Sequence, residues 1–204
     1  VLRRLVPMLR EAFASARIVV RLDAGFESPE IYDWLEAAGL LYAIGLPRNK
    51  VLARMCEADL ERARERSRAT GQTWQVFGEE RYRARTWSRS RRVIWKAEVT
   101  RYPGREPRDN PRFVVTNMEG NAVRLYDQTY CRRGEAENRI KELKEAMALG
   151  RTSCCRFWAN QLRVLLTAAA YVLMQELRSA ARGTKYERAQ AWTLREHLLK
   201  VGVW

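Results

Sequence analysis

The residues best suited to chemistry form a basic stripe around a single acid. Tyr130, Arg133, Glu137 and Lys144 stand at positions i, i+3, i+7 and i+14, so on one α-helix they would share a sector of about 60°. Lys141 lies beside them in the same pattern. A carboxylate among cationic and aromatic side chains suits a group that holds a metal ion while its neighbours bind phosphate.

A second acid, Asp23, lies far upstream and ends the apolar, β-branched run of residues 16–23. This run predicts a buried strand, and open α/β sheets build their sites at the carboxyl ends of strands. Gly25 follows and permits close approach of a ligand or of the backbone. The alternative is that Asp23 only caps a turn or a helix. If it is functional, Asp23 and Glu137 could meet at one metal site.

Glu137 also has an ordinary interpretation, as a solvated ion-pair partner of Arg133 and Lys141 on a basic helix. Gly134 weakens that interpretation, because a glycine costs a helix about 1 kcal/mol relative to alanine. It indicates that a bulky partner lies close to the backbone there.

The composition favours a polyanionic partner. The 204 residues contain 38 Lys and Arg against 24 Asp and Glu, a net charge of +14, together with seven Trp and eight Tyr. Nucleic acid is the usual partner of such a chain, although an Arg-rich proteome would also produce the charge.

The cysteines and the apolar segments exclude other classes. No C-x-x-C pair is present and His197 is the sole histidine, so the sequence does not predict a zinc site or a disulfide framework. The longest apolar stretch, residues 165–174, is too short to cross a bilayer. We therefore expect a soluble, cytoplasmic protein without a membrane partner.

Elements that position Asp23 follow a strand–helix–strand pattern, which predicts an α/β fold with a partly parallel sheet. Ser28 and Pro29 are typical of a helix start. The predicted elements are an amphipathic helix at 1–16, a strand at 16–23, a helix ending near Gly39, and a strand at 40–47.

Three basic strands are predicted next, after a helix from Asn49 to Ala69. Short polar turns separate them, which indicates an antiparallel arrangement. Trp87 and Trp95 are interleaved with arginines, a pattern that suits rings stacking on an unpaired base of DNA; the alternative is that these rings are core residues. The strands span residues 73–87, 91–102 and 111–118.

Helices are predicted for the rest of the chain. The first spans residues 121–149 and carries the basic stripe, and the second, at 157–182, has a broad apolar face that predicts packing in the core. A last amphipathic helix is predicted around residues 187–201.

The spaced residues resemble a known family. Tyr130-x2-Arg133-x3-Glu137-x6-Lys144 resembles the tyrosine–arginine–glutamate–lysine signature of the DDE transposases of bacterial insertion sequences. The segments RLDAGFESPEIYDWLEAAGLLYAIGLPRNK and RTSCCRFWANQLRVLLTAAAYVL extend this resemblance over nearly the whole chain.

The resemblance implies an α/β fold of the ribonuclease-H-like type, a mixed sheet flanked by helices, with an antiparallel β-rich insertion before the catalytic-Glu helix. The first part of the core would comprise residues 1–70, the insertion 71–119, and the C-terminal helices of the core 120–204.

The resemblance also implies a function, DNA cleavage and joining at insertion-sequence ends. Asp23 and Glu137 would be the second and third catalytic acids and would bind two divalent ions, Mg²⁺ or Mn²⁺. Tyr130, Arg133 and Lys144 would contact the DNA backbone, with Lys141 beside them, in a homodimeric synaptic complex. No Asp precedes position 23, so we expect a C-terminal fragment or a relic of a transposase that is inactive alone.

Three other functions remain open from the sequence. The chain could be a catalytically dead remnant that still binds DNA, or a metal-dependent nuclease of the same fold that hydrolyses DNA without joining it. An RNA-binding or scaffold protein with a fortuitous stripe is the third.

Overall fold

The computed structural model describes residues 1–200, which belong to two units that divide after Arg133. The first unit is built on one six-stranded sheet, in which the strand order is β1-β2-β6-β4-β3 and β5 pairs with β4. The strands are Val19–Leu22 (β1), Leu41–Leu46 (β2), Trp74–Tyr82 (β3), Arg91–Thr100 (β4), Arg108–Asp109 (β5) and Arg112–Thr116 (β6).

Strands β1 and β2 pair in parallel, with Val19 opposite Leu41 and Leu22 opposite Ile44. The helix Pro29–Ala37 (α2) connects them, and Ser28 occupies its N-cap position. The predicted strand–helix–strand unit and its partly parallel sheet are therefore confirmed. This unit places the residue after β1, Asp23, at the carboxyl end of the parallel pair.

The three basic strands form and are antiparallel, as predicted. Strand β6 pairs directly with β2, so that Ala43 lies opposite Thr116 and Leu46 opposite Phe113. These strands therefore extend the same sheet as β1 and β2 within the first unit. The mixed α/β sheet flanked by helices agrees with the predicted fold class; its assignment as ribonuclease-H-like stays a prediction.

Side chains cover both faces of this sheet. On one face, Val6, Leu35 and Leu60 from three helices join the main hydrophobic core. On the other face, Tyr126 and Tyr130 pack with Ala43, Ile94 and Val114. The helices of the first unit are Leu2–Ala12 (α1), α2, Lys50–Met55 (α3), Glu57–Thr70 (α4) and Ala122–Arg124 (α5).

Two predicted helices are interrupted. The helix expected from Asn49 to Ala69 is divided at Cys56 into α3 and α4. The helix expected to carry the whole basic stripe is also divided, because Leu125–Tyr130 is a π-helix and the following α-helix begins at Arg133. The prediction that Tyr130 shares one continuous α-helix with Lys144 is therefore wrong, and the rotation of 100° per residue does not apply between Tyr130 and Arg133.

The second unit contains helices only in its described part. These are α6, which begins with the boundary residue of the first unit, α7 and α8, followed by a π-helical segment. Their bounds are Arg133–Glu145 (α6), Phe157–Ala180 (α7), Ala191–Leu194 (α8) and Arg195–Leu199 for the π-helix. The end of the last predicted helix, at residue 201, lies outside the described residues.

A buried carboxylate organises the second unit. Glu142 of α6 accepts hydrogen bonds from Arg178 Nη2 (2.9 Å), Tyr171 Oη (2.5 Å) and the backbone N–H of Ala191 (3.2 Å). Burial raises the pKa of Glu142, but the hydrogen bonds and the Arg178 charge outweigh it and lower the pKa below its usual value. The carboxylate is thus charged at neutral pH and ties α6 to α7 and to the start of α8.

Helix α7 contributes less to the core than its apolar face predicts. Met174 and Arg178 are its buried residues. Large apolar side chains elsewhere on the helix are more than half exposed, contrary to the prediction of a core helix; they include Phe157, Trp158, Leu162, Leu165, Leu166, Val172 and Leu173.

Candidate active site

Asp23 lies at the carboxyl end of β1, where it begins the short 3₁₀ turn Ala24–Phe26. Its Oδ1 accepts a hydrogen bond from the backbone N–H of Gly25 at 2.9 Å, so it does cap this turn. A Cβ on Gly25 would lie 3.1 Å from the same oxygen, which explains a glycine here. The side chain is 46% exposed, so capping leaves the carboxylate accessible to a ligand.

Tyr130 reaches the same end of the sheet because β2 contains a glycine. A Cβ on Gly45 would lie 2.7 Å from Tyr130 Oη and 2.8 Å from the backbone nitrogen of Ala24. Both separations are shorter than a carbon atom tolerates, so the phenol and the turn after β1 can both approach β2 only where it lacks a side chain. Burial raises the pKa of Tyr130, against the opposing charge of Arg133. The hydroxyl is therefore protonated, and able to donate, at neutral pH.

Arg133 joins these two residues. Its Nη1 lies 3.3 Å from Asp23 Oδ2, and its guanidinium carbon lies 5.6 Å from the centre of the Tyr130 ring. Arg21 of β1 donates to the backbone carbonyl of Thr129 at 3.3 Å and so holds the π-helical segment against the sheet. The structure thus brings together three of the predicted site residues, Asp23, Tyr130 and Arg133, although the chain separates them widely.

A cavity of about 150 Å³ opens beside Tyr130 and Gly45. Arg48 and Arg112 line it, and none of the acidic side chains in residues 1–200 does. Arg48 follows the end of β2, while Arg112 begins the antiparallel strand β6, so the register brings both to the same end of the sheet as Asp23. Two guanidinium groups and a phenol around a small cavity form a site that attracts the oxygens of a phosphate.

Gly45, Arg48 and Arg112 are site residues that were not among those predicted from the sequence. A glycine inside an otherwise apolar strand is a usable signal, because it often marks close approach of another group. The two arginines gave no local signal, since their proximity depends on how β6 pairs with β2.

The other stripe residues, Glu137, Lys141 and Lys144, lie on α6 in the second unit. Lys141 Nζ is 3.9 Å from Glu145 Oε1, and both side chains are about two-thirds exposed. Gly134 has open space where a Cβ would be, so no described protein atom requires a glycine there. The roles of Glu137, Lys141 and Lys144 stay predictions.

Trp87 and Trp95 do not stack on DNA, which corrects the sequence prediction and supports its alternative. They are 2% and 5% exposed and belong to the main core of the first unit. Trp87 packs edge-on against Tyr32, and Trp95 Nε1 donates to Asp59 at 2.8 Å. Trp87 lies beyond the end of β3, and Trp95 shares one face of β4 with the buried Arg91, so the arginine-rich pattern does not indicate exposed rings.

Asp23 offers a hard oxygen ligand of the kind that Mg²⁺ and Mn²⁺ prefer. One carboxylate does not complete such a site, and residues 1–200 contain no group of three or more Asp, Glu, His or Cys side chains that could hold a metal ion. Asp23 therefore fits a divalent ion as one ligand of a larger set. The ion pair with Arg133 compensates the negative charge of Asp23.

An acid at the carboxyl end of a parallel strand pair, beside a basic cavity, defines a site suited to phosphoryl transfer. The family model described as transposase DDE domain group 1 matches residues 1–204, so the chain belongs to this family of transposases. No curated protein matches the chain. Membership implies a DNA substrate, and members generally use divalent metal ions. Within residues 1–200, no helix is long and apolar enough to cross a membrane.

Proposed function

We propose that this transposase cleaves and joins DNA at insertion-sequence ends by metal-dependent phosphoryl transfer. The observation that carries the proposal is the convergence of Asp23, Tyr130 and Arg133 beside the cavity lined by Arg48 and Arg112. An acid for metal binding and several donors for phosphate oxygens are the two components that this reaction requires.

Asp23 and Glu137 are the proposed ligands of Mg²⁺ or Mn²⁺. When bound, the ions supply the activation of a water or 3′-hydroxyl nucleophile and the stabilisation of the leaving oxygen. The chain has no Asp before position 23, so these residues provide two of the three acids that the resemblance implies.

The remaining residues bind and orient DNA. The Tyr130 hydroxyl donates a hydrogen bond to a phosphate oxygen, and Arg133 offers a planar pair of donors to the same group. Arg133 also orients the Asp23 carboxylate through their ion pair. Lys141 and Lys144 contact the backbone as point charges, and we propose that two copies of the chain act together at paired DNA ends.

Metal-directed cleavage of the protein tests the proposed ligand pair without requiring catalysis. Fe²⁺ replaces Mg²⁺, and added ascorbate and peroxide generate hydroxyl radicals that cut the backbone near the bound ion. The proposal predicts cuts near residues 23 and 137, both of which are lost in Asp23→Asn. The control Glu119→Gln removes an exposed acid just after the other end of β6 and should retain the cuts. Cuts that are absent near residue 137 would contradict the shared site.

A DNA assay with Mn²⁺ then separates the related activities. Transfer of a cleaved 3′ end to a second DNA molecule supports a transposase, whereas hydrolysis without joining supports a nuclease. DNA binding that is independent of Mg²⁺ and unchanged in Glu137→Gln supports a remnant that only binds.

A further inference from the structure

A large aromatic side chain in the second unit lies open beside a cavity. Trp192, near the start of α8, is 53% exposed and lines a cavity of about 300 Å³. Asn138 and Gln190 line the same cavity with their carboxamides, and Lys141 lines it with its ammonium group. All of these residues lie within one unit.

Charged side chains around this cavity are paired with one another. The guanidinium carbon of Arg195 is 4.7 Å from the centre of the Trp192 ring, and Lys200 Nζ is 5.9 Å from it. Both cations pair with Glu196, at 3.5 Å and 2.7 Å. Two acids line the cavity. Glu142 is engaged by the ion pair and hydrogen bonds described above, and Glu145 lies 3.9 Å from Lys141, so both have cationic partners.

These groups match the parts of a single nucleotide. An exposed indole provides a surface on which a base can stack, and carboxamides can donate to and accept from the edge of a base. The exposed ammonium group of Lys141, which lines the cavity, can contact the phosphate of the same nucleotide. The volume is at the lower end of the range for small-molecule sites, so it suits one base and not a duplex.

We propose that the Trp192 cavity binds one unpaired nucleobase of the DNA substrate. This proposal rests on the proposed function, because it takes DNA to be the ligand. It assigns to Trp192 the stacking that the sequence suggested for the buried Trp87 and Trp95. The base enters as an unpaired nucleotide at a DNA end or at a locally opened step, where unstacking is least costly.

The test compares two DNA probes with identical phosphates. One is a short duplex with a 3′ overhang of thymidines, and the other is the same duplex with an abasic overhang. Fluorescence anisotropy with the 204-residue chain measures the dissociation constant for each. The wild-type chain should bind the thymidine overhang about tenfold more tightly, and Trp192→Ala should lose that difference while its affinity for the abasic probe is unchanged.

Three further variants localise the effect. Trp192→Phe keeps an aromatic face and should retain most of the preference. Asn138→Leu changes an exposed lining residue of α6, so it should reduce the preference even if Trp192→Ala fails to fold. Trp158→Ala is the matched control, because Trp158 is 76% exposed on α7 but does not line the cavity.

The outcomes distinguish this inference from the proposed function. Equal wild-type affinity for the two probes, or a preference that survives both Trp192→Ala and Asn138→Leu, would overturn the base-binding cavity and leave DNA binding intact. Failure of the wild-type chain to bind either probe would overturn the proposed DNA contact together with the cavity.

Discussion

Substitution of Gly45 by alanine tests how the candidate site is assembled. The new Cβ would lie 2.7 Å from Tyr130 Oη, 2.8 Å from the Ala24 backbone nitrogen and 3.3 Å from the Ala24 Cα. The phenol can move aside, but the turn that carries Ala24 is fixed by Asp23 and by the pairing of β1 with β2. Because relief requires a backbone shift, we expect destabilisation of about 1–3 kcal/mol, as for other overpacked sites.

Urea unfolding of the wild-type chain and of Gly45→Ala measures this free energy. Gly150→Ala is the matched control, since a Cβ there meets no atom within 4 Å and the residue does not have a positive φ. It should change the free energy of unfolding by less than about 0.5 kcal/mol.

A double-mutant cycle separates the two clashes. Tyr130→Phe removes the hydroxyl oxygen, so Gly45→Ala should be less harmful by about 0.5–1.5 kcal/mol in that background. The clash with Ala24 remains, so the relief should be partial. An unchanged stability of Gly45→Ala, or identical effects in both backgrounds, would refute the close packing of Tyr130 against β2.

Four further predictions concern separate parts of the chain. Arg133→Ala should weaken DNA binding and reduce the slope of log affinity against log salt by about 0.9, because a phosphate contact is lost. Arg62→Ala, which removes a side chain that is 67% exposed on α4, should leave the slope unchanged, and an unchanged slope for both variants would contradict the contact. Gly134→Ala should raise the free energy of unfolding by about 0.5–1 kcal/mol, since no described atom obstructs the new Cβ. The same variant should weaken DNA binding if DNA approaches the helix backbone at this residue. Stronger DNA binding by the variant would exclude a close approach of DNA there. Trp87→Ala should destabilise the chain by about 3–5 kcal/mol in urea unfolding, which a surface ring would not do. Glu142→Gln should destabilise the second unit at pH 7 but less at pH 3. The pKa of Glu142 is lowered in the folded state, so the carboxylate stabilises the fold at neutral pH and loses this effect as it becomes protonated. A loss of stability that is independent of pH would contradict this prediction.

Local sequence signals identified the part of the fold that depends on local interactions. Within the predicted run 16–23, Val19–Leu22 form the strand, because β-branched side chains suit a sheet, and the strand ends before Asp23 because the chain turns there. Ser28 and Pro29 correctly mark the start of α2. These features need no knowledge of which residues meet across the fold.

Features that depend on long-range packing were not predictable. The spacing of Tyr130 and Arg133 suggested a regular helix, but the π-helical segment ends at Tyr130 and the next α-helix begins only at Arg133. Contact between Arg133 and Asp23 nevertheless forms. The contributions of Gly45 and Arg112 depend on the pairing of β2 with β6, which the sequence does not specify locally.

Aromatic residues show why composition alone can mislead. Trp87 and Trp95 follow a basic pattern that also fits DNA binding, but the sheet buries their rings against Tyr32 and Asp59. Arg91 is itself buried, 5.4 Å from the centre of the Trp87 ring and paired with Glu36, so an arginine beside these rings does not indicate a surface open to DNA.

Binding of Mn²⁺ measured by electron paramagnetic resonance tests the central claim, that Asp23 and Glu137 hold the same metal centre. Asp23→Asn and Glu137→Gln should each weaken Mn²⁺ binding, and the double variant should be little worse than either single variant, because one lost ligand already disrupts the site. Mn²⁺ affinities that fall by independent, additive amounts, or that are unchanged in both single variants, would contradict the shared centre.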